Sequence, residues 1–398
     1  MDFTTTRLAS AKGRPALPHF GYRTGYWLCG WMFAFLGASC HSATDSPSGQ
    51  APDPGAGNGV QFAQYFSISA EGDSLWIRET DDRTVLWIRS SGEHDTSAAN
   101  ERGGIHLQIP AKVATWSTTH APHLRALGAE MHWCATGYLD RVDLDSTVSG
   151  VPLVNLGGDG GLDEESLLVS KADVLTSYPF GDPMQGVTER TGIPVMAFRE
   201  YAEPHPLGRA EYIKVFGWLT GQQERADSVF EAIAERYNRI RKQGAEDAAQ
   251  GRPSVFTGSE QGGGWTAPTG DGLVARLVED AGGHYLLDDR LEAEMGLRRE
   301  GRNVEMDREQ FAVLATGADA WGKVVHAPEG WYMEDAVSDM SWIPLEGKLL
   351  FHCNTHEVDY FGQAILEPDR MLSDLHNLFH GDSLSLGGRY FQRTLPRP

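Results

Sequence analysis

Between Gln222 and Lys242 the chain holds neither Gly nor Pro, and Ala226, Val229, Phe230, Ile233, Ala234, Tyr237 and Ile240 recur at helical spacing. That pattern predicts one helix of about 32 Å. It constrains the fold more than any other feature, because the sequence on its two sides has a different texture, and each side resembles the other. One rod must join two bodies. A flexible hinge would be a loop, so a single helix implies bodies that move little against each other.

On the N-terminal side, Lys112-Val-Ala-Thr-Trp116 reads as a strand, and a helix follows it to Leu127, stopped by Gly128. Leu162 to Ser170 reads as a helix begun by Asp163-Glu-Glu165. Asp173 to Tyr178 is a strand, Val187 to Thr191 a helix, and Ile193 to Phe198 a strand. This alternation is the signature of a parallel α/β sheet. Past Pro253 it returns: a strand at Ser254–Thr257, a loop at Gly262–Gly270, a helix at Gly272–Ala281 and a helix opening at Asp307–Phe311. Strands follow at Asp319–Val325 and Lys348–His352. Ahead of both halves, Ser74–Arg78 and Thr84–Arg89 flank Asp81-Asp-Arg as a β-hairpin. The expected fold class is α/β: two lobes with mostly parallel sheets, 59–221 and 246–398, joined by a long linker helix, 222–245. A ligand cleft lies between the lobes, and the hairpin is extra.

Residues 1–39 carry Arg7, Lys12, Arg14 and Arg23, then an apolar run from Tyr26 to Ser39 that is too short to span a bilayer. This reads as a signal peptide. The run ends Phe-Leu-Gly-Ala-Ser-Cys40, similar to a lipoprotein box in which Cys40 is acylated; plain signal cleavage nearby is the other reading. Residues 40–58, rich in Ser, Pro, Gly and Asp, form a flexible tether. Only Cys134 and Cys353 remain beyond it, two buried free thiols rather than a disulfide framework. A formal net charge of −21 argues against a nucleic-acid partner.

Several dispersed motifs, in order, name a family. Trp116-Ser-Thr-Thr-His120 with Leu124-Arg-Ala-Leu-Gly128 comes first, then Glu203-Pro-His-Pro-Leu-Gly-Arg-Ala-Glu-Tyr212 before the linker helix. Gly264-Trp-Thr-Ala-Pro268, Leu277-Val-Glu-Asp-Ala-Gly-Gly283, Asp359-Tyr-Phe, Glu367-Pro-Asp369 and Gly388-Arg-Tyr-Phe-Gln392 follow. Over about residues 60–395 the chain resembles the substrate-binding proteins of ATP-driven importers for iron–siderophore, haem and cobalamin-type ligands. Two turns depart from the family: His352-Cys-Asn-Thr-His356 replaces an Asn-rich turn, and Glu367 replaces an Arg before Pro368. The resemblance implies a monomer on the extracytoplasmic side, held to the membrane by a lipid anchor and free of a cofactor of its own. It would bind a metal complex and deliver it to a permease dimer with its ATPase. One Glu per lobe, here Glu165 and Glu309, would dock on permease arginines; the bland reading of both is a carboxylate favoured by the helix dipole.

Ligands of parallel sheets sit beyond the carboxyl ends of the strands. Trp116, Ser117, Thr118, Thr119 and His120 occupy such an end. Their hydroxyls can cap the following helix, and capping alone or capping with crevice lining are both open. A nucleophile would need a base within reach and an orienter for that base, which adjacent residues at a helix start rarely provide; no Gly-x-Ser-x-Gly elbow occurs. Further crevice candidates are Tyr178, Pro179, Glu200, Tyr201, Asn354 and Tyr360, with Trp265 and Trp331 as aromatic walls for a large planar complex. Trp265, in a glycine loop, is expected to be exposed, and Trp321 and Trp342 to be core. A second reading, a bare Zn, Mn or Fe carrier, would use His120, His205, His352, Cys353, His356 and Glu357. A third is an enzyme on the same frame.

Overall fold

The computed structural model describes residues 59–71, 74–79, 84–89, 105–142, 152–179, 184–261, 264–339, 345–381 and 387–397. The expected signal peptide, tether and acylated Cys40 lie outside them, as do the Asp81-Asp-Arg turn, Gly262-Gly263 and Trp342. Among the described residues no helix is long and apolar enough to cross a membrane.

The N-terminal hairpin is larger than expected. Strands β1 (Phe66–Glu71), β2 (Ser74–Glu79) and β3 (Thr84–Arg89) pair antiparallel, and β4 (Ile105–His106) adds parallel to β3. The first parallel sheet comprises β5 (Val113–Thr115), β6 (Trp133–Thr136) and β7 (Val154–Asn155), then, after the small β8–β9 hairpin (Gly157–Gly158, Gly161–Leu162), β10 (Val174–Ser177) and β11 (Val195–Ala197). Its order is β11-β10-β5-β6-β7. Helices α1 (Ala121–Ala126), α2 (Glu164–Ser170) and α3 (Val187–Thr191) connect these strands.

The second lobe repeats the plan. Its sheet, built on β12 (Ser254–Thr257), orders as β15-β12-β18-β19-β20. An antiparallel sheet of β13 (Ser259–Gln261), β14 (Gly264–Pro268), β16 (Arg298–Glu300) and β17 (Asn303–Met306) lies beside it. The main sheet is completed by β15 (His284–Tyr285), β18 (Ala320–Val325), β19 (Leu349–Asn354) and β20 (Gln392–Arg393); only β20 runs antiparallel. The expected Gly262–Gly270 loop is thus largely strand: β14 pairs with β17 from Trp265 to Pro268, and Thr and Trp suit a half-buried pleated surface.

Helices α4 (Pro206–Glu211) and α5 (Ile213–Thr220) lead into the linker helix α6 (Gln223–Ala248), which continues six residues beyond Lys242. Gly244 does not end it. A Cβ at Gly244 would lie 2.7 Å from the carbonyl oxygen of Asp280, so the glycine permits close approach to α7 (Leu273–Asp280). Tyr237 Oη donates to Asp280 Oδ2 at 2.7 Å, and Arg236 Nε to Asp369 Oδ2 at 2.5 Å on the last long helix. On the other lobe's side, Ala226 packs so tightly against Gly217 of α5 that a Cβ there would come within 2.5 Å. Phe230, Ile233, Ala234 and Tyr237 are buried, as their spacing predicts. Of the two free thiols, Cys353 is buried but Cys134 is only half-buried.

The remaining helices are α8 (Asp289–Glu294), α9 (Arg308–Gly317), α10 (Met333–Asp339) and α11 (Pro368–His380).

Candidate functional site

The carboxyl end of β5 is a buried polar network rather than a helix cap. His120 is the N-cap residue of α1 and makes no side-chain capping bond. Thr119 Oγ1 donates to Glu200 Oε1 at 2.8 Å, so the hydroxyl of Ser117, 2.7 Å away, donates to Thr119. Ser117 Oγ accepts only a long bond from Thr119 N, 3.3 Å. His120 places Nε2 3.4 Å from the same Glu200 oxygen and Nδ1 2.8 Å from Thr176 Oγ1. Both ring nitrogens therefore face partners other than Ser117, and the nucleophile–base geometry is not formed.

Burial decides what this cluster can do. Trp116 and His120 are fully buried, and Glu200 is 2% exposed. These residues, with Ser117 and Thr119, brace the strand ends from beneath. Thr118, Tyr178 and Tyr201 are half-buried and Pro179 is exposed, so in the first lobe they are the members of the expected set that reach the surface. Burial pushes the Glu200 carboxyl up, but the adjacent His120, the hydrogen bond from Thr119 and the charge of Arg209 outweigh it and hold it below the usual range. Arg209 of α4 is the nearby cation, and its buried Nε has no hydrogen-bond partner among the described residues.

Two rim residues escaped sequence reasoning. Tyr138 follows β6 and sits at φ 50°, in the left-handed region that disfavours a bulky side chain. Its ring lies 5.2 Å from that of Trp116, whose Nε1 donates to Tyr178 Oη at 3.0 Å. Arg141 stands 4.9 Å over the Tyr138 ring and pairs with Asp159 at 2.5 Å. Burial, then the neighbouring Tyr178, push the Tyr138 phenol up to about 12. Gly137 makes room for this turn: a Cβ there would lie 2.5 Å from the Trp116 ring. The available signal was an aromatic one glycine beyond a short apolar strand, at a carboxyl end like that which Trp116 follows.

In the second lobe the aromatic expectation needs correction. Trp265 is 9% exposed, and its ring lies 4.1 Å from Phe311; strand pairing turns it into the core instead of the crevice. Trp331 is also buried, against Trp321 and His352 at 6.2 and 5.2 Å. Trp321 is core as expected. Asn354 is a brace: its Oδ1 accepts from Ala327 N at 3.0 Å, and its Nδ2 donates to Ala327 O and Glu357 Oε1. Tyr360 is half-buried, and burial lifts its phenol to about 12.

The histidines are not gathered. His205 Nδ1 accepts from Leu207 N at the start of α4, and His352 Nδ1 lies 3.0 Å from Thr394 Oγ1. His326 and His356 face each other at 5.5 Å. Among the described residues no group of three or more His, Cys, Asp or Glu is placed to hold a metal ion. A cavity of about 290 Å³ lies away from the strand ends, between α6 and the 363–370 segment, lined by Ala126, Val229, Ile233, Arg236 and Asp369.

Glu165 and Glu309 occupy equivalent places. Asp163 caps α2 by accepting from Ser166 N, and Asp307 caps α9 by accepting from Gln310 N. The Glu lies two residues on in each and is exposed. Val169 and Val313, each four residues beyond its Glu, are 70% and 67% exposed. In each lobe the next strand is preceded by an Asp that locks the sheet: Asp173 accepts from Lys112 N at 2.7 Å and Asp319 from Ser254 N at 2.8 Å.

Comparison with known proteins agrees with this architecture. Residues 113–301 match the family described as periplasmic binding protein. An uncharacterized lipoprotein of Methanocaldococcus jannaschii is 20% identical over 342 residues, 82% of this chain and 77% of the relative. A periplasmic heme binding protein from Pseudomonas aeruginosa superposes with a TM-score of 0.52 at 14% identity, over 72% of this chain and 99% of that one. An ABC transporter substrate-binding protein from Listeria monocytogenes EGD-e gives 0.52 at 12% identity, over 68% and 99%. At these identities the structural likeness is one of fold. Over residues 113–301 this chain is similar to the periplasmic binding protein family, and its two parallel-sheet lobes with a long helix between them share the fold of those solved structures.

Proposed function

We propose that this protein is the extracytoplasmic substrate-binding component of an ATP-driven importer. It captures a metal complex (a ferric siderophore, haem or a corrinoid), hands it to a membrane permease and performs no chemistry on it. The observation that carries this reading is the twin surface: an exposed Glu and an exposed Val, one helical turn apart, at equivalent places in the two lobes. A partner built on two-fold symmetry would offer two like patches, and opposite charges there would set register and speed encounter.

Ligand contact falls to the rim residues Thr118, Tyr178, Pro179, Tyr201 and Tyr360, joined by Tyr138 and Arg141. Trp116, Ser117, Thr119, His120, Glu200 and Asn354 support them from below. A cation held over an aromatic ring at the rim suits a ligand with both flat apolar and acidic parts. Lipidation at Cys40, with the tether as spacer, would keep the protein at the membrane; the Methanocaldococcus jannaschii relative is named a lipoprotein.

The test is the visible spectrum of the mature protein after mixing with haem, cobalamin or a panel of ferric siderophores and desalting. Retention of one coloured ligand at one equivalent supports the reading and identifies the class. Retention of none, with tight binding of zinc or manganese instead, replaces it with the bare-metal reading.

A further inference from the structure

Residues 59–65 belong to no strand or helix, yet they are fastened to the fold by charged groups. Glu211 of α4, fully buried, accepts the backbone N–H groups of Gln61 and Phe62 at 2.7 Å and of Ala63 at 2.9 Å. Lys214 pairs with the same carboxylate at 2.8 Å and donates to Gly59 O at 2.6 Å. Glu203 accepts from Gln64 N and Tyr65 N, both at 2.9 Å. Phe62 packs on His205 and on Phe230 of the linker helix, ring centres 5.0 and 6.0 Å away. Gly208 allows the approach: a Cβ there would meet Phe62 O at 3.0 Å. The two carboxylates do for these backbone donors what a neighbouring strand would do.

The same segment is held from the other lobe. Arg302, in the turn between β16 and β17, donates through Nη2 to Tyr65 Oη at 3.1 Å and to Ala202 O at 3.0 Å. Asp271 fixes the arginine from its own lobe, with the carboxylate 3.5 Å from Nη1. Arg302 is thus the meeting point of three parts: the second lobe, the first lobe and the 59–65 segment.

We propose that residues 59–65 are a strap across the lobe junction, fastened to the first lobe by Glu203 and Glu211 and clasped from the second by Arg302, restraining the lobes against one another. A helix resists bending, but on its own it leaves twisting about its axis weakly opposed. An attachment away from that axis removes the twist. The strap also carries any pull on the tether to the junction instead of to one lobe.

The test uses the mature full-length chain with spin labels at Val169→Cys and Val313→Cys, in a Cys134→Ser background, and reads the interlobe distance distribution without ligand. Wild type is expected to give one narrow population. Arg302→Ala should raise a second population at least about tenfold, since a hydrogen bond to a charged group is worth one or more such factors. Tyr65→Phe, which removes one acceptor, should shift the distribution the same way by less. Should Arg302→Ala fail to fold, Tyr65→Phe decides alone. Wild-type distributions in the folded variants overturn the strap. No ligand enters the measurement, so its failure is separate from failure of the importer reading.

Discussion

Glu203→Gln isolates one buried proton beneath the strap. Glu203 is 1% exposed. Burial, with the charge of Glu211 added, outweighs the N–H groups of Gln64 and Tyr65 and the charge of Arg302, and pushes its carboxyl up to about 7. The folded value lies above the unfolded one, so the native state binds the extra proton between the two. The associated stability is fully present below about pH 4.5 and is lost as pH rises through about 7. A shift of that size corresponds to about 3 kcal/mol, most of it given up between pH 5 and pH 8. Glutamine keeps an acceptor for the two N–H groups and cannot ionise. The assay is urea unfolding of wild type and Glu203→Gln across pH 5 to 8. The difference between them cancels the other titrating groups to first order. It should move in favour of glutamine by about 2–3 kcal/mol as pH rises. A difference that stays flat with pH refutes the reasoning, because Glu203 would then hold one charge state throughout.

Trp265→Ala should cost about 3–5 kcal/mol in urea unfolding, the cost of emptying a large core site; a loss under about 1 kcal/mol would return the ring to the crevice. Gly137→Ala forces a Cβ into the Trp116 ring and should destabilise by about 1–3 kcal/mol, with a change in tryptophan fluorescence; an unchanged melting curve would mean that the Tyr138 turn is loosely built. Replacing both Glu165 and Glu309 by Lys in the intact importer should cut uptake at least about tenfold and leave ligand affinity unchanged. An equal fall in affinity would place the two carboxylates at the ligand instead of at the permease.

What the sequence determined is what neighbours along the chain decide. The helix from Gln223 follows from apolar spacing and the absence of breakers, and the acid-led starts of α2 and α9 follow from Asp163 and Asp307, which bond backbone three residues away. The parallel lobes follow from strand–helix alternation, and dispersed motifs carried the family resemblance. The tertiary structure decided everything that depends on contacts between distant residues. Thr119 meets Glu200 across 81 positions, which turned an apparent helix cap into a buried brace. Trp265 left the crevice because β14 pairs with β17, a register invisible in a glycine-rich stretch. Gln61 reaches Glu211 across 150 positions, a fastening that no local pattern announces even though residues 59–65 read as the start of the first lobe. Local propensity is written in adjacent side chains, whereas the burial of a polar group is set by whichever distant element closes over it.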